Sequence, residues 1–164
     1  MHSTPPRILI VDDDPLVREV LKDILARGPY TVLSAKSGED GLALMAREPV
    51  DVVISDERMP GMQGSEFLAA VRKHHPETVR IILTGHASIQ ATIRAINESE
   101  IFRFLTKPAN SHDLHTAVEE ALAHRDRKKG LDRDYSLLQS LEKQAPGITQ
   151  VHRDDDGVVI IDDE

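Results

Sequence analysis

The chain has 164 residues, of which 40% are hydrophobic but only 3% aromatic, a formal net charge of −8, and no cysteine. Without cysteine it forms neither disulfides nor thiolate metal sites, and the acidic net charge argues against a nucleic-acid-binding surface, which requires clustered Lys and Arg. It has neither the apolar run of about 18 residues that a membrane span needs nor the apolar segment of a signal peptide. We therefore expect a cytoplasmic protein with an aliphatic core and no direct contact with nucleic acid or membrane.

Five short apolar segments alternate with five helical patterns in chain order. The predicted strands are residues 7–11, 31–35, 50–55, 80–84 and 102–105. The predicted helix caps are Asp14, Ser37, Ser65, Ser88 and Ser111, residue types whose side-chain oxygens accept hydrogen bonds from a helix N-terminus. This alternation predicts right-handed βαβ crossovers and an open parallel sheet with helices on both faces.

Acidic side chains follow two of the predicted strands. Asp12 and Asp13 come after the first strand, and Asp56 comes after the third. The carboxyl ends of parallel strands meet at one edge of the sheet, where ligands bind at the switch in strand order. Thr84 ends the fourth predicted strand, and Lys107 comes just past the fifth, at the same edge. Three carboxylates at one place repel one another unless a proton or a divalent cation joins them, so this edge is the candidate functional site.

Four motifs in this order make residues 7–125 resemble the receiver domain of bacterial two-component response regulators. They are ILIVDDD at 8–14, SDERMPGMQG at 55–64, LTGH at 83–86 and FLTKP at 104–108. The resemblance implies an α/β fold, a flavodoxin-like doubly wound sheet of five parallel strands in the order 2-1-3-4-5. It also implies a signalling protein of a phosphorelay, a phosphoacceptor rather than an enzyme, although it catalyses its own phosphoryl transfer and autodephosphorylation.

The resemblance implies a role for each residue that phosphorylation affects. Asp56 is the nucleophile that accepts a phosphoryl group from a sensor histidine kinase or a phosphotransfer protein, and Lys107 and Thr84 contact the transferred group. Thr84 and Phe104 form the switch, which repacks the face made by the fourth predicted helix, the fifth strand and the fifth predicted helix. That face, or the C-terminal helix, is expected to dimerise, while the sequence names no downstream partner.

The resemblance also implies a divalent cation, Mg²⁺ or Mn²⁺. Asp13, Asp56 and the backbone carbonyl of Arg58 are its expected protein ligands, and Asp12 acts mainly through water. Few carboxylates together with retained waters are what Mg²⁺ prefers. Arg58 and His86, each two positions after a site residue, flank the acyl phosphate and are expected to set its lifetime.

The composition changes after the receiver-like part, so we expect domain limits at 1–125 and 126–164. Apolar residues at helical spacing predict a helical extension that packs on the domain or on a second chain: Leu131, Tyr135, Leu138. Residues 148–153 and 158–161 flank Asp154-Asp155-Asp156-Gly157 and are typical of a β-hairpin with Asp-Gly in its turn. A frayed acidic tail is the alternative.

Three other functions compete with the switch. A Mg²⁺-dependent phosphohydrolase that uses an aspartyl-phosphate, resembling the haloacid-dehalogenase family, would carry a second Asp where this chain has Arg58. A flavin or nucleotide binder would need a Gly- and Ser/Thr-rich phosphate cradle after the first strand, where Asp12, Asp13 and Asp14 instead repel phosphate. In the third alternative, the chain is the receiver fragment of a longer regulator whose output domain is missing.

Overall fold

The elements of the fold alternate between strands and helices up to the start of a long C-terminal helix. A computed structural model describes residues 4–85, 93, 96–97, 99–144, 150–153 and 159–162. Its elements are β1 Arg7–Val11, α1 Pro15–Ala26, β2 Thr31–Ala35, α2 Gly38–Arg47, β3 Val52–Ser55, α3 Gly64–His74, β4 Val79–Thr84, β5 Arg103–Thr106, α4 Ser111–Gln144, β6 Gln150–Arg153 and β7 Val159–Asp162. The predicted fourth helix, with its cap at Ser88, lies largely outside the described residues, so α4 corresponds to the fifth predicted helix.

Strands β1 to β5 form one parallel sheet in the order β2-β1-β3-β4-β5. This is the flavodoxin-like doubly wound order, and it confirms the predicted fold class. The chain leaves β1 toward β2 on one side and returns to β3 on the other. The switch in strand order therefore lies at the carboxyl ends of β1 and β3, which Asp12 and Asp56 follow.

The sheet separates two aliphatic layers. One layer joins β1, β3 and β4 to α1 and the first turns of α4: Ile8, Ile10, Leu21, Leu25, Val52, Ile54, Ile81, Leu83, Leu114, Ala117, Val118, Ala121. The other joins the opposite faces of these strands to α2 and α3: Leu9, Val11, Met45, Val53, Phe67, Leu68, Val71, Ile82. Burying each large side chain contributes about 1.5–3 kcal/mol, so these layers fix the central strands and with them the residues that follow the strands.

Two of the predicted helix caps are confirmed. Asp14 accepts a hydrogen bond from the Leu16 backbone N–H at 2.9 Å, and Pro15 opens α1. Ser37 Oγ accepts from the Asp40 N–H at 3.1 Å at the start of α2. Both bonds join residues that are near in sequence, which is why the sequence predicts them.

Two other predicted caps are wrong. Helix α3 begins at Gly64 after Gln63, and the hydroxyl of Ser65, inside its first turn, donates to Glu57 Oε1 at 2.8 Å instead of capping. Helix α4 begins at Ser111, and Asn110 Oδ1 accepts from the Asp113 N–H at 2.7 Å. At α4 the neighbouring Asn110 accepts the capping bond, whereas none of the described side chains caps the N-terminus of α3.

The chain divides into two compact units, Met1–Leu122 and Ala123–Glu164. In the second unit, α4 continues to Gln144, and β6 and β7 pair antiparallel with Val151 opposite Ile161. The predicted Asp154–Gly157 turn lies outside the described residues. Exposed leucines line this part of the helix: Leu131, Leu137, Leu141. Within the described part of the chain, no helix combines the length and apolar character that a membrane crossing requires.

Candidate functional site

Register places Asp12 and Asp56 side by side. Val11 in β1 is the partner of Ser55 in β3, and each acid is the next residue along its strand. The Asp56 N–H donates to the Val11 carbonyl at 3.0 Å, and the Asp12 N–H donates to the Ala35 carbonyl at 3.2 Å. The main chains of both acids are therefore held by the sheet ladder, while their side chains project beyond it with only 2% and 8% of each residue exposed.

Three carboxylates meet at this edge of the sheet. Asp12, Asp13 and Asp56 each offer an oxygen within 4.8 Å of the other two, and Asp13 is the exposed member. Two unit charges about 4 Å apart repel by about 4 kcal/mol in surroundings typical of a protein surface. Hard divalent cations prefer such oxygen donors, so the cluster fits a small cation such as Mg²⁺ in both charge and ligand type.

Lys107 balances part of this negative charge. Its Nζ lies 2.7 Å from Asp12 Oδ2 and 3.1 Å from Asp56 Oδ2. Burial alone would lower the pKa of Lys107, but the hydrogen bonds and charges of Asp12, and then of Asp56, outweigh it and raise the pKa. A raised lysine pKa means that the ammonium stays charged throughout the neutral range. The site therefore presents a fixed cation next to its most buried acids.

The Asp12 loop has a second basic contact that the sequence pattern did not single out. Arg18 Nη1 donates to the Asp12 carbonyl oxygen at 2.6 Å, and the Asp14 N–H donates to Asp12 Oδ1 at 2.9 Å. Arg18 is one helical turn after the cap of α1, and that spacing was the only sequence signal for this contact. The two bonds fix both the main chain and the carboxylate of Asp12.

The structure describes three of the other predicted site residues, Thr84, Phe104 and Arg58. Thr84 ends β4, is 1% exposed, and its carbonyl accepts from the Lys107 N–H at 3.0 Å. Phe104 in β5 pairs with Ile82 and packs half-buried against the layer that contains α3. Arg58 is exposed. His86 lies outside the described residues.

Comparison with known proteins gives a consistent result. Residues 8–119 match the family model of the response regulator receiver domain. The chain is 41% identical over 122 residues to the transcriptional regulatory protein GlrR of Escherichia coli strain K12, covering 74% of this chain and 27% of that protein. It is 35% identical over 117 residues to the DNA-binding transcriptional regulator NtrC of Salmonella typhimurium strain LT2, covering 71% and 25%. The chain thus spans about a quarter of the length of these curated relatives.

Solved structures agree with the sequence comparison. The signal receiver domain of an HD domain-containing protein from Pseudomonas fluorescens Pf-5 has a TM-score of 0.73 at 37% identity, covering 75% of this chain and 98% of that one. The beryllofluoride-activated receiver domain dimer of NtrC4 has a TM-score of 0.68 at 26% identity, covering 73% and 98%. In both cases the match covers nearly the whole neighbour and about three quarters of this chain.

Proposed function

The chain belongs to the response regulator receiver domain family, and on that premise we propose that it is a phosphorylation-activated switch whose phosphoacceptor is Asp56. The donor is the phosphohistidine of a sensor histidine kinase or of a phosphotransfer protein in the cytoplasm. The observation that carries the proposal is the pairing of Lys107 Nζ with both Asp12 and Asp56 beside a third acid, Asp13. The direct test is labelling of Asp56 by a small phosphodonor such as acetyl phosphate in the presence of Mg²⁺.

The proposed cation site uses the acidic cluster. Asp13 and Asp56 would bind Mg²⁺ or Mn²⁺ directly, together with the backbone carbonyl of Arg58, while Asp12 would act mainly through water. When bound, the cation supplies positive charge that offsets the negative oxygens of the incoming phosphoryl group. The close approach of three carboxylate oxygens supports this assignment, since without added positive charge they repel one another.

The chemistry at Asp56 is a phosphoryl exchange. A carboxylate oxygen of Asp56 forms a bond to phosphorus, the P–N bond to the donor imidazole breaks, and the imidazole keeps the electron pair and takes up a proton. Lys107 moves its charge from the free carboxylate to a phosphoryl oxygen, and the Thr84 hydroxyl and the Gly85 N–H donate to the others. Water later attacks phosphorus, releasing inorganic phosphate and restoring the Asp56 carboxylate.

The proposed output is a repacking beside β4 and β5. Thr84 moves toward the phosphoryl group, and Phe104 rotates into the space that Thr84 leaves, so a local charge change biases two packing states. The register supports this coupling, because Phe104 pairs with Ile82, two residues before Thr84 on the same face of β4. A homodimer forms through this repacked face or through the C-terminal helix, whose exposed leucines at 131, 137 and 141 offer an apolar surface.

Mg²⁺ should stabilise the protein through Asp13. At about a hundred times its Kd, a ligand that binds only the folded state stabilises it by about 2.7 kcal/mol. We expect Asp13→Asn to lose most of this effect, and to be more stable without Mg²⁺ by on the order of 1 kcal/mol because repulsion in the cluster falls. Urea unfolding with and without MgCl₂ measures both changes.

Asp14→Asn is the matched control for this experiment. It removes an equal charge from the neighbouring position but keeps an N-cap residue on α1, because asparagine caps about as well as aspartate. The control should retain the full response to Mg²⁺. An Asp13→Asn protein stabilised by Mg²⁺ as strongly as the wild type would remove Asp13 from the ligand set.

Arg58 is proposed to slow hydrolysis of the acyl phosphate. Its exposed side chain follows Asp56 by two positions and shields the phosphoryl group from water. We expect Arg58→Ala to shorten the half-life about fivefold, the equivalent of roughly 1 kcal/mol in barrier height. Loss of label after removal of the donor measures the half-life. Arg47→Ala, at another exposed arginine near the end of α2, should leave it unchanged, and equal half-lives in all three proteins would exclude the shielding role.

A further inference from the structure

Glu57, the residue after the phosphoacceptor, is a buried acid with an unusual environment. Only 9% of the residue is exposed, and among the described residues its buried Oε2 has no hydrogen-bond partner. Burying a carboxylate with an unsatisfied oxygen costs free energy, and an apolar side chain would fill the same space without that cost. A carboxylate at this buried position therefore indicates a role other than packing.

Two hydrogen bonds attach Glu57 to the first turn of α3. The Gly64 N–H donates to the Glu57 carbonyl at 2.9 Å, and Ser65 Oγ donates to Glu57 Oε1 at 2.8 Å. The first bond holds the main chain of Glu57 and the second holds its side chain. The loop between β3 and α3 is thereby tied back onto the helix that follows it.

Ser65 is itself braced from the other side. Ser99 Oγ donates to the Ser65 carbonyl at 3.0 Å, and Ser99 is completely buried. The Ser99 carbonyl accepts in turn from Arg80 Nε at 2.7 Å, and Arg80 lies in the buried strand β4. Ser65, which holds the Glu57 side chain, is thus connected to β4 through the buried residues Ser99 and Arg80.

We propose that Glu57 is a positioning residue that sets the affinity for Mg²⁺ by fixing the main chain between the Asp56 carboxylate and the Arg58 carbonyl. This inference rests on the metal site of the proposed function. Mg²⁺ demands near-ideal octahedral geometry, so a small displacement of one backbone ligand relative to a carboxylate weakens binding. Groups that orient metal ligands typically change metal affinity by about tenfold or more when removed.

A purely electrostatic role of Glu57 predicts different effects of substitutions on Mg²⁺ affinity. If Glu57 acted only by its negative charge beside the acidic cluster, Glu57→Gln would weaken Mg²⁺ binding as much as Glu57→Ala, and Ser65 would not matter. If it acts by position, the hydrogen bond to Ser65 matters and the charge does not. Glutamine keeps an oxygen that accepts from Ser65, whereas alanine does not.

The experiment measures the Kd for Mg²⁺ of the unphosphorylated full chain by isothermal titration calorimetry. We expect Glu57→Ala and Ser65→Ala each to weaken binding about tenfold. The double variant should be no weaker than either single variant, since both remove one shared interaction. Glu57→Gln and Ser65→Thr should remain close to the wild type, because each keeps its half of the bond. Glu66→Gln, which removes an exposed charge from the same turn of α3, should have no effect.

The possible results distinguish failure of the positioning role of Glu57 from failure of the proposed Mg²⁺ site. Equal losses in Glu57→Gln and Glu57→Ala with an unchanged Ser65→Ala would overturn the positioning role, and so would unchanged affinity in every variant. A wild-type chain that does not bind Mg²⁺ would overturn the metal site itself and the inference with it. Thermal unfolding without Mg²⁺ identifies any variant that has lost its fold, and Ser65→Ala then provides the decisive comparison.

Discussion

Replacing Asp56 with asparagine should reduce Mg²⁺-dependent phosphoryl labelling to the level of a sample without donor. The amide is a poor nucleophile and carries no charge to pair with Lys107 Nζ, which lies 3.1 Å from Asp56 Oδ2. Neither Asp12 nor Asp13 takes over, because we assign these acids to the cation rather than to attack on phosphorus. Intact-mass spectrometry after incubation with acetyl phosphate measures the labelled fraction, and the wild-type label should be released by hydroxylamine, as an acyl phosphate is.

A matched control for this experiment lies before the same strand. Asp51 precedes β3 at the end away from the site, where its Oδ2 accepts from the Arg7 N–H at 2.8 Å. Asp51→Asn keeps an acceptor there and should be labelled as the wild type is. Stable, Mg²⁺-dependent labelling of Asp56→Asn at the wild-type level would show that the nucleophile is another residue.

Gly64→Ala should be the most destabilising single-methyl change near the site. A Cβ on Gly64 would overlap the Asp56 carbonyl oxygen and would lie 2.9 Å from the Glu57 Cα. Both contacts are with main chain, which cannot move aside as the end of a flexible side chain can. Overpacking typically costs about 1–3 kcal/mol, and we expect a loss at or above the upper end of that range, measured by urea unfolding.

Gly85→Ala tests whether the loss at Gly64 comes from the close contact or from adding a methyl group near the site. Among the described residues, the nearest neighbour of a Cβ on Gly85 would be Lys107 Cβ at 3.8 Å, an ordinary contact distance. Its stability should stay within about 1 kcal/mol of the wild type. Equal unfolding midpoints for Gly64→Ala and the wild type would mean that the loop after β3 shifts freely, which would also weaken the case for Glu57 as a positioning residue.

Sequence alone predicts the parts of this fold that depend on local pattern and on parallel topology. The apolar segments predict the limits of β1 and β2 as the structure has them. The caps of α1 and α2 depend on residues close in sequence, such as Asp14 and Leu16. The meeting of Asp12, Asp13 and Asp56 follows from topology, because residues after adjacent parallel strands leave the sheet at one edge.

The contacts that sequence did not predict join distant segments or choose between equivalent partners. Ser65 matches the pattern of a helix cap, but its hydroxyl reaches Glu57, whose position depends on the loop after β3. The bond from Ser99 to Ser65 spans 34 positions, and no periodic pattern encodes it. Strand β5 runs from Arg103 to Thr106, whereas the sequence predicts it at 102–105. Its residues are partly exposed, so the hydrophobic pattern does not define its limits sharply.

Lys107 follows β5, which among the described strands is an outermost strand of the sheet and pairs with β4 alone. Outer strands detach at a lower free energy than central ones, and when β5 detaches the ammonium is drawn away from Asp12 and Asp56. Detachment therefore gives up the attraction of Lys107 for Asp12 and Asp56 and leaves the repulsion between the acids uncompensated, which favours the attached state of β5. A divalent cation bound at the cluster, as we propose, would supply part of this compensation itself, so that occupancy of the site would lower the free energy needed to detach β5.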